Sequence, residues 1–220
     1  MCASTYVRDS MRYNGVPESK LAVNPFGVDL QLFVPRDQLP DKPRFLFVGS
    51  LTLRKGLQYL IPAFERLKQK HPTAELILCG PLYHADFKSL YHQWRHIFTH
   101  QRSLPHADLA KLMRTCTAFV FPSIEEGFAR VIAEAMGAGL PIIATHNSGA
   151  TTVVEDGKQG IIVPAWSADP VYEAMLKLIE QPNLCQAMGQ AAAARMAVDG
   201  SWTAYAHRLL KTYTCHLPGK

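Results

Sequence analysis

Residues 117–145 read TAFVFPSIEEGFARVIAEAMGAGLPIIAT, and this stretch decides the fold. Residues 117–121 form a short, almost wholly apolar run, which predicts a strand covered on both faces. Glu126-Gly127 then turns the chain. A helix is expected to begin near Phe128 and to run to Ala138. A second apolar run follows at 141–144. A strand, a helix and a second strand in so few residues make a βαβ unit, which joins parallel strands.

The same alternation continues outward. Residues 44–48 (RFLFV), 75–79 (ELILC) and 160–163 (GIIV) are further buried-strand runs. Leu57, Leu60, Ile61, Phe64 and Leu67 fall on one helical face. Pro62 lies inside that pattern and predicts a kink or a later helix start. Residues 108–116, 169–181, 184–198 and 202–213 also read as helices, the last N-capped by Ser201. The expected fold class is therefore α/β, a doubly wound, Rossmann-like parallel sheet. Residues 4–21 read as one helix and a turn at 15–17, followed by a short strand at 20–24. The Pro- and Asp-rich loop 35–43 reads as a linker.

Composition agrees with a folded chain. Of 220 residues, 48% are hydrophobic and 19% charged, which excludes intrinsic disorder. The formal net charge of +5 is too small and too dispersed to argue for nucleic acid. Cys2, Cys79, Cys116, Cys185 and Cys215 show no zinc spacing and no CxxC pair, so a reducing compartment is expected. No signal peptide or spanning segment is visible, and a cytoplasmic chain, at most peripheral to the inner face of a membrane, is expected.

In open α/β sheets ligands bind beyond the carboxyl ends of the strands. After 44–48 come Gly49-Ser50-Leu51-Thr52-Leu53-Arg54-Lys55-Gly56. A cation pair arriving at a helix start outlines a phosphate site. The spacing is neither GxGxxG nor a Walker loop, and a solvated basic helix start is the alternative. After 75–79, Gly80-Pro81-Leu82 makes a tight turn whose backbone can approach a ligand.

The loop after 117–121 carries more. Its helix start favours an anion, and Glu126 stands at its mouth. Glu134 comes eight residues later, about 12 Å on along a helix. Paired glycosidase carboxylates stand about 5–9.5 Å apart, so these two do not suit that chemistry. They suit the two ends of an elongated, hydroxyl-rich ligand with phosphate between them, which describes a sugar nucleotide. The alternative is a helix start that carries acids because they suit its dipole.

These residues resemble the C-terminal, donor-binding half of retaining glycosyltransferases of the GT-B fold, the glycosyl transferases group 1 family. The resemblance rests on FVGSLTLRKGLQYLIPAFERL (47–67), ELILCG (75–80), the stretch 121–145, and SGATTVVEDGKQGIIVP (148–164). The family's motif of two glutamates separated by seven residues falls on Glu126 and Glu134. SKLAVNPFGVDLQLFVP (19–35) resembles the entry into the C-terminal domain. SWTAYAHRLL (201–210) resembles the helix that crosses back to the N-terminal domain. The implied division is 1–40 as a remnant of the N-terminal domain plus linker, 41–198 as the donor-binding domain, and 199–220 as crossover helix and tail.

The resemblance implies transfer of a hexose from a nucleoside-diphosphate sugar, with retention. Glu126 and Lys55 would be catalytic. Gly49, Arg54, Gly80, Gly127, Phe128, Ala129, Arg130 and Glu134 would bind the donor. It also implies no metal and no cofactor, the donor being a UDP-, GDP- or ADP-sugar, and a missing or separate acceptor-binding domain as partner. Two positions depart from the family pattern. Ser50 stands where Arg is usual, and Ala129 where Gly is frequent. The competing readings are a non-catalytic nucleotide-sugar-binding module and another Rossmann-like nucleotide binder.

His84, His92, His96, His100 and His106 crowd one region. With helical spacing His92, His96 and His100 would share a face, but no third ligand has matching spacing, so a metal is not expected. Residues 83–95 read as an amphipathic surface helix.

Overall fold

The computed structural model describes residues 1–82 and 85–216. Its centre is a single sheet of six strands, all parallel: β1 (Arg44–Val48), β2 (Glu75–Cys79), β3 (Thr99–Gln101), β4 (Ala118–Phe121), β5 (Ile142–Thr145) and β6 (Gly160–Val163). Their order in space is β3-β2-β1-β4-β5-β6. From β1 the chain winds outward through β2 and β3, then returns to build β4, β5 and β6 on the other side. The direction of winding therefore reverses between β1 and β4. Such a reversal leaves a crevice at the carboxyl ends of the two strands.

Side chains along a strand alternate between the sheet's faces. Every residue of β4 and β5 is buried, so both faces of the sheet centre are covered. The cover comes from α2 (Leu57–Lys70), α5 (Arg130–Gly137), α6 (Asp169–Glu180) and α7 (Pro182–Asp199), with α2 packed on α6 and α5 on α7. Phe45, Phe47, Phe119 and Phe121 are fully buried in the central strands, and Phe47 stacks on Phe121 at 5.8 Å between ring centroids. Burying each such ring contributes about 1.5–3 kcal/mol. The five strands predicted from apolar runs thus stand where burial requires them, shifted by a residue at most.

The structure corrects several expectations. The sheet has a further strand, β3, just beyond the region read as helical, at residues assigned to no element from the sequence. The helix there, α3 (Ala85–Gln93), stops short of His96, and His100 lies in β3, so the three histidines share no helical face. Tyr83 and His84 lie outside the described residues. At the N-terminus, α1 (Thr5–Tyr13) is a helix of nine residues. The strand expected at 20–24 shrinks to a single bridge between Cys2 and Val23, and Lys20 ends a short 3-10 turn (Glu18–Lys20). Pro62 neither ends nor delays α2, which begins at Leu57 and contains it. Helix α4 (His106–Arg114) starts earlier than expected, directly after Pro105.

The loop read as a linker has no regular structure, but it is anchored. Phe33, two residues before it, is buried, and within it the Arg36 guanidinium donates to the Cys116 carbonyl. Burial lowers the Arg36 pKa. The last helix, α8 (Trp202–His216), returns to the first segment: Arg208 donates to the Asn24 side chain at 2.8 Å and to the Pro25 carbonyl at 2.9 Å. No helix among the described residues is long and apolar enough to cross a membrane.

Candidate functional site

A cleft of about 500 Å³ opens at the carboxyl ends of β1, β2 and β4. Gly49 and Ser50 follow β1, Gly80 and Pro81 follow β2, and Glu126, Phe128 and Ala129 follow β4. Arg130, Val131 and Glu134 enter from α5, and Arg54 and Lys55 from a 3-10 turn (Leu53–Lys55). Every residue assigned to the site from sequence lines this one cleft except Gly127.

At one end Lys55 and Glu126 form a direct ion pair, with side chains only 12% and 16% exposed. The Lys55 ammonium also lies over the Phe121 ring, 5.1 Å from its centroid. Arg54 reaches the same carboxylate at 3.7 Å and Glu125 at 3.5 Å. Local chemistry explains why these residues meet. The buried Ser123 hydroxyl is 3.1 Å from the Arg54 carbonyl, to which the Ile124 N–H donates at 2.9 Å. Gly56 lies against the Pro122 carbonyl, where a Cβ would come within 1.9 Å of the oxygen. The basic turn and the acidic loop are therefore one packed unit. Ser123 holds them together, a role its lone hydroxyl in sequence does not advertise.

At the other end the Glu134 carboxylate accepts no hydrogen bond from any described residue, and His106 Nε2 stands 4.0 Å from it. Burial raises the Glu134 carboxyl above its ordinary value, opposed by His106 and Arg130. A raised value in the fold means that the folded chain holds the proton more tightly than the unfolded one. The ionised carboxylate then costs stability as pH rises from the ordinary value of 4.5 through the raised one. Glu134→Gln is expected to raise the melting temperature at pH 7 by about 2–4 °C, corresponding to about 1 kcal/mol. The gain should shrink below pH 4.5. Differential scanning fluorimetry across pH 4–8 checks this.

Between the two ends lies the start of α5. The helix begins at Arg130, two residues later than expected, and Ala129 leads into it in extended form. The N–H groups of Phe128, Ala129, Arg130 and Val131 have no hydrogen-bond partner among the described residues. Such N–H groups at a helix start attract anions. Gly127 stands behind this row, and its carbonyl accepts from the Ser4 hydroxyl at 2.5 Å.

His106, set aside in the sequence with the other histidines, faces Glu134 across the cleft. The missing signal was β3: once that strand is placed, residues 102–105 become a loop at the carboxyl edge and His106 opens α4 there. His100, in β3, lies 2.8 Å from the Gly80 carbonyl and 2.9 Å from the Tyr91 hydroxyl, so it fixes the cleft floor. Among the described residues no group of three or more His, Cys, Asp or Glu side chains is arranged to hold a metal ion.

A six-stranded parallel Rossmann-like sheet of this order is the architecture of one half of the GT-B fold. The family model for glycosyl transferases group 1 matches residues 33–195, and the chain belongs to that family. The D-inositol 3-phosphate glycosyltransferase of Paenarthrobacter aurescens (strain TC1) is 28% identical over 215 residues, covering 90% of this chain and 52% of that relative. Among solved structures, HepE from Anabaena in complex with UDP-glucose superposes with a TM-score of 0.84 at 20% identity, over 97% of this chain and 63% of that one. The C-terminal domain of the group 1 glycosyl transferase LpcC from Francisella tularensis gives 0.70 at 21% identity, over 80% of this chain and 99% of that domain. At these identities the solved structures establish the fold. The chain spans about half the length of the curated relatives it matches.

Proposed function

We propose that this chain is the donor-binding half of a glycosyltransferase, holding a nucleoside-diphosphate hexose in the cleft for transfer with retention. One observation carries the reading. A single cleft has an acid paired with Lys55 at one end, a desolvated acid whose carboxylate accepts no hydrogen bond from the described residues at the other, and between them N–H groups without a partner among the described residues. In this reading Glu134 accepts from the ribose hydroxyls, and Glu126 accepts from the sugar hydroxyls. Lys55, with the N–H groups of Phe128 to Arg130, takes the diphosphate. Gly49 and Gly80 form the floor, and Gly127 lets the loop pack behind.

The chemistry follows from charge. When the bond between the anomeric carbon and the phosphate oxygen breaks, negative charge grows on the diphosphate. Fixed donors aimed at that oxygen stabilise the transition state more than the ground state. Lys55 is 12% exposed, so its charge is only weakly screened there. Arg54 and Arg130 line the same cleft as Ser50, and they offer the positive charge that Ser50 lacks. The reading also places residues 41–198 as the donor domain, leaves acceptor binding to a separate domain, and puts the chain in the cytoplasm.

Isothermal titration with UDP-, GDP- and ADP-glucose tests the reading. One of the three is expected to bind, and Glu134→Ala should weaken it by about 10- to 100-fold, the worth of hydrogen bonds to a charged group. Binding of none of the three, or binding unchanged in the variant, contradicts it. HepE was solved with UDP-glucose, which makes that sugar nucleotide the first to try. Binding without transfer, even when an acceptor-binding domain is supplied, would identify a non-catalytic module instead.

A further inference from the structure

Ser4 lies outside the matched family region, 123 positions from Gly127 in sequence, yet it is fully buried against the loop that carries Glu126. Its hydroxyl does two things. It accepts from the Val7 N–H at 3.0 Å, capping α1, and it donates to the Gly127 carbonyl at 2.5 Å. The site is tightly built. A Cβ on Gly149 would meet the Gly127 oxygen at 2.3 Å and Ser4 Cβ at 2.9 Å, and one on Gly127 would meet Val7 at 3.1 Å. The same loop is pinned a second time, since the Gly149 N–H donates to the Glu126 carbonyl at 2.9 Å. A second tether holds α1 down: the Thr5 N–H donates to the Thr152 hydroxyl at 2.9 Å.

The peptide joining Gly127 to Phe128 is trans, as are all others in the described residues. In a trans peptide the N–H points opposite to the carbonyl. With the Gly127 carbonyl drawn back to Ser4, the Phe128 N–H is turned the other way. Phe128 lines the cleft, and its N–H has no partner among the described residues. We infer that Ser4 is a positioning residue for the donor phosphate: its hydroxyl fixes the peptide plane that presents the Phe128 N–H to the diphosphate. The inference rests on the cleft being the diphosphate site. It makes α1 part of the donor site's support although no residue of α1 is among those that line the cleft.

The test compares UDP, GDP and ADP, each against its own nucleoside, by titration and by ligand-observed NMR, on the full chain and on Ser4→Ala and Ser4→Gly. For the diphosphate that the wild type binds, both variants are expected to lose about three- to tenfold in affinity, the worth of one hydrogen bond. Binding of the matching nucleoside should not change, because it makes no contact with the Phe128 N–H. Equal loss for nucleoside and diphosphate would show a merely structural role and overturn the inference, as would unchanged diphosphate binding. A wild type that binds none of the diphosphates overturns the cleft reading itself, a separate result. Hydrogen exchange on the wild type makes the test independent of the variants' folding. The Phe128 amide should exchange quickly in the free chain and become protected when the diphosphate binds. A Phe128 amide left unprotected at saturation overturns the inference.

Discussion

Lys55→Ala is expected to reduce affinity for the donor nucleotide sugar by about 30- to 150-fold, the loss of about 2–3 kcal/mol from a charge-assisted contact. The size follows from the site. Lys55 is 12% exposed and is the cation that meets Glu126 directly, Arg54 standing further off at 3.7 Å. Removing it deletes an attraction for the diphosphate. It also leaves a carboxylate, 16% exposed, facing that diphosphate with little compensation, and uncompensated partly buried charge is costly. A Lys55→Ala, Glu126→Gln double variant should therefore recover part of the affinity. Titration of the wild type, both single variants and the double variant measures the coupling. If Lys55→Ala binds as the wild type does, Lys55 is not at the diphosphate.

Gly80→Ala is expected to lower the melting temperature by about 6–12 °C, from about 3 kcal/mol of strain and overlap. Gly80 adopts φ +145°, which L side chains rarely take, and a Cβ there would lie 2.1 Å from the Gly49 carbonyl oxygen. Neither glycine can give way cheaply, since the Gly49 N–H donates to the Cys79 carbonyl and the Gly80 N–H to the Gln101 carbonyl, both at 2.9 Å. The floor of the cleft is thus made by the interlocked ends of β1 and β2. Gly157→Ala is the control. Its φ of +78° also strains a side chain, but nothing lies within 4 Å of the added Cβ. A melting temperature lowered equally by both substitutions would show that backbone conformation alone matters, and that the Gly49–Gly80 contact does not.

The parts of this fold that sequence reading reaches are those where burial leaves few choices. Strands β1, β2, β4, β5 and β6 must be apolar to lie under helices, and their runs stand out. Strand β3 reads as Thr-His-Gln because it lies at the sheet edge, pairs only with β2 and exposes Thr99 and Gln101. Nothing in its composition separates it from a surface helix. The start of α5 moved from Phe128 to Arg130 for a tertiary reason, since Gly127 is held behind it by Ser4, Val7 and Gly149. No local pattern contains that contact. The two glutamates and Lys55 were legible because their chemistry is tied to strand ends, where ligands gather. His106 was not, because its relation to Glu134 depends on the strand that was missed.

The central claim is that one cleft holds a diphosphate between two acids that bind different ends of the same ligand. A crystal structure of the chain with its preferred nucleotide sugar tests this most directly. The account predicts phosphate oxygens within hydrogen-bond distance of Lys55 Nζ and of the N–H groups at the start of α5, with the ribose on Glu134 and the hexose on Glu126. A nucleotide bound in the reverse direction, or seated outside this cleft, would contradict it.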